Sequence, residues 1–310
     1  MSAPVVVLGA GGATGSHVVD ALVAQGRAVR AVTRSTRPDR RGVDSAVADV
    51  TDPAQLRGAV AGAEVVVHAA QPPYTRWAQE FPALTAGIAD AAAAAGARLV
   101  FADNLYSYGP VDGPLHEDLP DRATDRKGRI RATMAADLLR RHATGELEVV
   151  IGRASDYYGP RGTASSAGDT LFGAAVAGKK VTLIGSADQP HSWNYLPDLG
   201  RALALLGDAA PGRVHHLPVA GPLTARELAD HASRAAGHGA ATVSVLPAPL
   251  HRVLALGHPM LRELWGIRYQ VTAPFVVDDR RFRAEFPTFT PTSHAEAVAA
   301  TVAWFRGRAS

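Results

Sequence analysis

The run Val5-Val6-Val7-Leu8 stops on Gly9-Ala10-Gly11-Gly12-Ala13-Thr14-Gly15, an apolar strand that breaks on glycines and restarts as a helix. Glycine is needed in such a turn for three reasons. The backbone uses dihedrals closed to most side chains, a pyrophosphate must reach backbone N–H groups, and the new helix must lie close to the strand. Gly9, Gly11, Gly12, Ala13, Thr14 and Gly15 are therefore expected to hold a dinucleotide. The spacing is GxxGxxG; it departs from the commoner GxGxxG because position 14 is Thr.

Composition narrows the class. With 310 residues, 47% hydrophobic and 20% charged, the chain reads as an ordinary globular protein able to bury one large core or two smaller ones. No apolar run suits a signal peptide or a membrane span, so a cytoplasmic protein without membrane contact is expected. The absence of cysteine excludes disulfides and thiolate chemistry. The 12 histidines include no HExxH, and His215-His216 fall in a strand where neighbours face opposite sides, so no metal site is expected. The net charge of +3 collects in two clusters: Arg34, Arg37, Arg40 and Arg41, and then Arg126, Lys127, Arg129 and Arg131. No aromatic residues interleave with either, which points to local anion or ribose contacts, or plain solvated arginines, and not to nucleic acid.

Short apolar strands at 5–8, 28–32, 44–48, 65–68, 98–101 and 149–153 alternate with helical segments. Asp52-Pro53 supplies a cap and a first-turn proline, and Gly26 and Gly96 stand where helices should stop. This alternation predicts an α/β, Rossmann-type, doubly wound parallel sheet. From 156 the pattern loosens; 198–208 returns to helix and Val214–Val219 reads as a last strand. The expected organisation is a dinucleotide-binding domain over 1–155 and 198–235. A smaller α+β substrate lobe, formed by C-terminal inserts, takes 156–197 and 236–310.

Val32-Thr33-Arg34-Ser35 ends the second strand with a guanidinium where NAD sites usually place an acid. Guanidinium forks suit a 2′-phosphate, so the expected cofactor is NADP(H). Asp49, ending the third strand, is either an acceptor for the adenine amino group or a simple turn residue.

Together these motifs resemble the extended and atypical short-chain dehydrogenase/reductases, the NAD-dependent epimerase/dehydratase and NmrA-like group. The landmarks are the glycine turn, Asp49-Val50, Val67-His68-Ala69-Ala70, Tyr108-Gly109, Asp156-Tyr157-Tyr158-Gly159-Pro160 and His191-Ser192-Trp193-Asn194-Tyr195-Leu196-Pro197-Asp198. The resemblance implies that Val50, Ala69, Ala70, Arg131 and Asp156 also touch the dinucleotide. It further implies a substrate pocket formed by Tyr74, Trp77, Tyr157, His191, Trp193 and Asn194, and a monomer or homodimer acting on a small molecule.

The family's serine and Tyr-x-x-x-Lys are missing. Asn104 falls at the serine position, and Lys127-Gly128-Arg129-Ile130-Arg131 at the Tyr-x-x-x-Lys position. Arg131 can hold a ribose but cannot shuttle a proton near neutral pH. Tyr106, Lys127 and Tyr108 are the candidate proton donors, in that order, and Asn104 a carbonyl-polarising amide. A packing role for the tyrosines and an exposed, idle Lys127 are the alternatives. The expected activity is hydride transfer to or from a small carbonyl or alcohol; transient redox in an epimerase or dehydratase, and a non-catalytic dinucleotide sensor, stand beside it.

Overall fold

In the computed structural model, residues 3–36 and 40–309 are described; Arg37 lies outside them. The sheet is built from β1 (Val5–Leu8), β2 (Val29–Thr33), β3 (Val43–Val47), β4 (Val65–His68), β5 (Arg98–Asn104), β6 (Val149–Ala154) and a seventh strand, Arg213–His216. All pairings in it are parallel, and the spatial order runs β3, β2, β1, β4, β5, β6, then Arg213–His216.

Both faces of this sheet are covered, which is why its central strands are continuously apolar instead of alternating. Val6 and Leu8 point into one core, with Val66, Phe101 and Ile151. That core lies under helices α2 (Pro53–Val60), α3 (Trp77–Ala94) and α4 (Arg126–Ala143). Val5 and Val7 point the other way and meet α1 (Ala13–Ala24) and the helix Leu196–Leu205. Only the edge strand β3, Val-Asp-Ser-Ala-Val, is largely exposed. Asp52 caps α2, its carboxylate accepting from the Ala54 and Gln55 amides, and Asp125 caps α4 through the Gly128 amide.

Three sequence expectations shift. The last strand ends at His216 and not at Val219, because Leu217 still donates to the Arg153 carbonyl but Pro218 has no N–H to continue the ladder. The helix Ala225–Ala235, placed with the sheet domain, buries Leu228, Ala229 and Ala232 in the lobe's core beside Tyr158, Phe172 and Phe305. Conversely, Phe282 and Phe289, assigned to the lobe, pack back on the sheet's second face. The second segment of the lobe therefore starts near Pro222, and the chain returns to the sheet before its last helix, His294–Ala309. Among the described residues no helix is long and apolar enough to cross a membrane, and no group of three or more His, Cys, Asp or Glu could hold a metal ion.

Candidate active site

The strand order reverses between β1 and β4, and a cleft of about 1170 Å³ opens at their carboxyl ends. Its walls include Gly9, Gly11, Gly12, Ala13, Thr14, Arg34, Asp49, Val50, Ala69 and Ala70, so ten of the residues expected to bind a dinucleotide lie on one surface. Gly9 has φ +81°, and a Cβ there would stand 2.7 Å from the Ala70 backbone. A Cβ on Gly15 would stand 2.3 Å from the Gly9 carbonyl oxygen, so Gly15 lets α1 close on the turn while the others face the cleft. Asp49 accepts from the Thr51 amide at 2.9 Å and hydroxyl at 2.7 Å. Those bonds, aided by Arg34, hold its carboxyl below the usual range. Of the first arginine cluster, Arg34 lines the cleft, whereas Arg40 pairs with Asp20 on α1.

Aromatic residues gather where β4, β5 and α4 meet. Tyr74 and Trp77 pack at a tilt of 58° with ring centroids 4.8 Å apart, and Trp77 reaches Tyr106 at 6.2 Å. Asn104 turns its amide oxygen back to accept from the Tyr106 N–H at 3.2 Å, so it shapes the turn that presents Tyr106. Burial raises the Tyr106 hydroxyl pKa well above its ordinary value, and Tyr74 and Asp156 add to the shift.

Lys127 is not an exposed helix residue; it is 3% exposed. Its ammonium donates to the Tyr74 carbonyl, lies 3.7 Å over the Tyr74 ring and stands 3.2 Å from Glu263. Burial lowers its pKa while Glu263 opposes the shift. Arg131 donates to Asp103 at 3.1 Å and lies 4.3 Å over the Trp77 ring. Asp103 in turn accepts from Arg153 at 3.2 Å, and Arg153 reaches Asp121 at 3.1 Å, giving a buried chain of alternating charges. The sequence reading missed Glu263 and this chain. Asp103 carried a signal, an acid directly after the apolar run Leu99–Ala102, which needs a buried cationic partner. Glu263 carried none.

Tyr157 lines the cleft, and next to it Asp156 stands 3.3 Å from His191 Nε2. Tyr74, Trp77, Asn104, Tyr106, Lys127, Arg131, Asp156 and His191 are not in the lining of this cleft, and Tyr108, Trp193 and Asn194 lie apart from it as well. Tyr108 is buried against Leu105, Leu115, Phe275 and Val277, and its hydroxyl bonds His216 Nε2 at 2.8 Å. Trp193 donates its indole N–H to the Leu223 carbonyl at 3.0 Å. Asn194 is fully buried; it accepts from the Ser155 amide at 2.8 Å and donates to the Leu217 and Pro218 carbonyls. Both are lobe scaffolding instead of substrate contacts, since their polar atoms are spent on backbone.

Residues 5–217 match the model of the NAD dependent epimerase/dehydratase family. The chain belongs to that family. A curated relative, the 3-diazoavenalumate denitrifying reductase of a Streptomyces species, is 32% identical over 232 residues, covering 68% of this chain and 74% of the relative. Two solved family structures share the fold. The UDP-glucose 4-epimerase of Thermus thermophilus, in complex with NAD, superposes with a TM-score of 0.79 at 22% identity, covering 98% of this chain and 99% of the other. The dTDP-glucose 4,6-dehydratase DesIV of Streptomyces venezuelae, as a double mutant with NAD and DAU, gives 0.78 at 22% identity, covering 97% and 96%. Family membership makes the Lys127 and Arg131 positions the main departure of this chain from the resemblance traced above.

Proposed function

We propose that this chain is an NADP(H)-dependent oxidoreductase that moves a hydride to or from a small carbonyl or alcohol compound. The observation that carries the reading is Arg34, which lines the cleft at the end of β2, where this topology places the residue that reads the adenosine ribose. No carboxylate occupies Thr33-Arg34-Ser35 to repel a 2′-phosphate. A reductase among its relatives supports the direction.

The cleft fits such a cofactor: a side chain at Gly9 or Gly15 would fill the turn, and the first amides of α1 lack carbonyl partners within their own helix. When bound, the reduced nicotinamide supplies the hydride. The chain does the rest. The glycine turn takes the pyrophosphate, Arg34 the 2′-phosphate, and Asp49 the adenine side. Arg131, held by Asp103, offers a fixed positive charge to the nicotinamide ribose. Tyr74, Trp77 and Tyr157 offer flat apolar contact to a small substrate, and Tyr106, which keeps its proton, hydrogen-bonds the substrate oxygen without titrating. Lys127 fixes the Tyr74 loop.

The test is a fluorescence titration with NADPH and NADH. NADPH is expected to bind at least about tenfold tighter, which is about 1.4 kcal/mol, and Arg34→Ala to erase the difference. Equal affinities in the unaltered protein sink the NADP assignment. Stoichiometric oxidation of NADPH by an added carbonyl compound supports net hydride transfer. The second reading, transient redox in an epimerase or dehydratase, draws on the family match and requires product to form with no net change in cofactor.

A further inference from the structure

We propose that Asp156 and His191 hold between them the proton that completes reduction at this site, with Asp156 delivering it to the substrate oxygen. The proposal rests on the reductase reading above and supplies what that reading lacks, a mobile proton in place of the missing tyrosine–lysine pair.

The argument begins with His191 Nδ1, 3.2 Å from the Gln270 carbonyl oxygen. A carbonyl only accepts, so Nδ1 carries hydrogen. The other ring nitrogen, Nε2, faces Asp156 Oδ2 at 3.3 Å, and an ionised carboxylate also only accepts. Without a further proton, a neutral ring nitrogen that makes no hydrogen bond would stand 3.3 Å from a carboxylate oxygen in a histidine that is 4% exposed, an uncompensated buried polar contact. One proton therefore belongs to the gap. It sits either on the imidazole, facing a carboxylate, or on the carboxyl, facing a neutral imidazole. The ring cannot turn away easily, because it stacks on Phe275 at 5.3 Å and lies 4.4 Å from Trp193.

Asp156 is the partner turned toward the reaction. It follows β6, precedes the cleft-lining Tyr157, and keeps one fifth of its side chain exposed. Its charge acts on Tyr74, Tyr106 and Tyr157, helping to raise the pKa of all three hydroxyls. Arg131, from α4, is the cation facing the same tyrosines. None of these neighbours competes as a proton source. The tyrosines hold their protons, guanidinium does not release one near neutral pH, and Lys127 is committed to Tyr74 and Glu263.

The step balances. Hydride from the reduced dinucleotide adds to the carbonyl carbon, the carbon–oxygen π pair moves onto oxygen, and oxygen takes the proton from the Asp156–His191 pair. A carboxylate and a neutral imidazole remain, and water returns the proton. Asp156 is the catalytic residue in this scheme; His191 acts through it and is a positioning residue.

The experiment uses the full chain labelled with ¹⁵N histidine, with His191 assigned by its loss in His191→Gln. Long-range ¹H–¹⁵N spectra are followed across pH in the unaltered protein and in Asp156→Asn, whose amide can donate to Nε2 and so preserves the packing. Expected are a protonated Nδ1 at neutral pH and an Nε2 that shares a proton. In Asp156→Asn the shared proton at Nε2 is expected to be lost, because the amide supplies its own hydrogen to the contact. An Nδ1 without hydrogen, or an Nε2 signal unmoved by Asp156→Asn, overturns the proposal. With NADPH and benzaldehyde as the probe carbonyl, Asp156→Asn is expected to lower kcat about a hundredfold with little change in KM, and an unchanged kcat also overturns it. An unaltered protein that oxidises no NADPH would defeat the reductase reading instead, and the imidazole spectra would still decide whether the proton is there.

Discussion

Arg131 gives its guanidinium to Asp103 at 3.1 Å in a setting where the Asp103 side chain has no solvent exposure. Two elements of the sheet domain, α4 and β5, are joined by that contact directly beneath the aromatic cluster. Because Asp103 also accepts from Arg153, its single negative charge compensates two buried cations.

Asp103→Asn keeps the shape and removes the charge. Breaking one side of a buried ion pair typically costs about 3–5 kcal/mol; here Arg131 stays buried without a countercharge while Arg153 keeps Asp121. A fall of that size is expected in the unfolding free energy extrapolated from urea titration, with weakened cofactor binding in the fraction that remains folded. A stability change under about 1 kcal/mol would mean that the two arginines find water or another acceptor.

Asn194→Ala separates scaffolding from substrate binding. It strands the Ser155 amide and the Leu217 and Pro218 carbonyls, each unmet group costing about 1–3 kcal/mol. Thermal unfolding is expected to drop markedly while KM stays unchanged. A raised KM at unaltered stability would return Asn194 to the substrate pocket.

Gly15→Ala places a methyl group 2.3 Å from the Gly9 carbonyl oxygen, with backbone on both sides of the clash. Overpacking of this kind costs about 1–3 kcal/mol, and dinucleotide binding is expected to weaken more than stability does, because the turn itself must move. Calorimetry with NADPH on the folded variant measures both effects.

Acid should destabilise the fold through its buried histidines. Burial lowers His17 to about 4 and both His68 and His216 to about 3. In the unfolded chain these imidazoles titrate near 6.5, so the unfolded state binds more protons than the folded one below that pH. The stability they contribute is complete above pH 6.5 and is lost progressively as pH falls toward 4 and then 3. Urea midpoints measured from pH 7.5 to 4.5 are expected to fall steadily below 6.5; a flat profile would require solvent access to these rings in the folded protein.

The glycine turn, the parallel doubly wound sheet and most of the residues that line the cleft were legible because each rests on local chemistry: strand runs, caps and a turn that only glycine permits. Arg34 was legible for the same reason, as a charge at a strand end. The reaction end was not. Lys127 reads as one more cation in a basic helix start, and only the fold brings Glu263, 136 residues later, against it. Tyr108, Trp193 and Asn194 carry the right side chains in family motifs, yet their polar atoms are taken by His216 and by backbone groups that become neighbours only on folding. The pairing of Asp156 with His191 crosses 35 residues, a distance at which spacing holds no information.

The alternating charges from Arg131 through Asp103 and Arg153 to Asp121 also act as an evolutionary ratchet. A lysine restored at position 131 would present a compact ammonium in place of a planar fork fitted between Asp103 and the Trp77 face, and a tyrosine restored at 127 would abandon Glu263. Each change alone disturbs a buried ion pair, so a tyrosine–lysine pair cannot be installed at these two positions one substitution at a time without loss of stability.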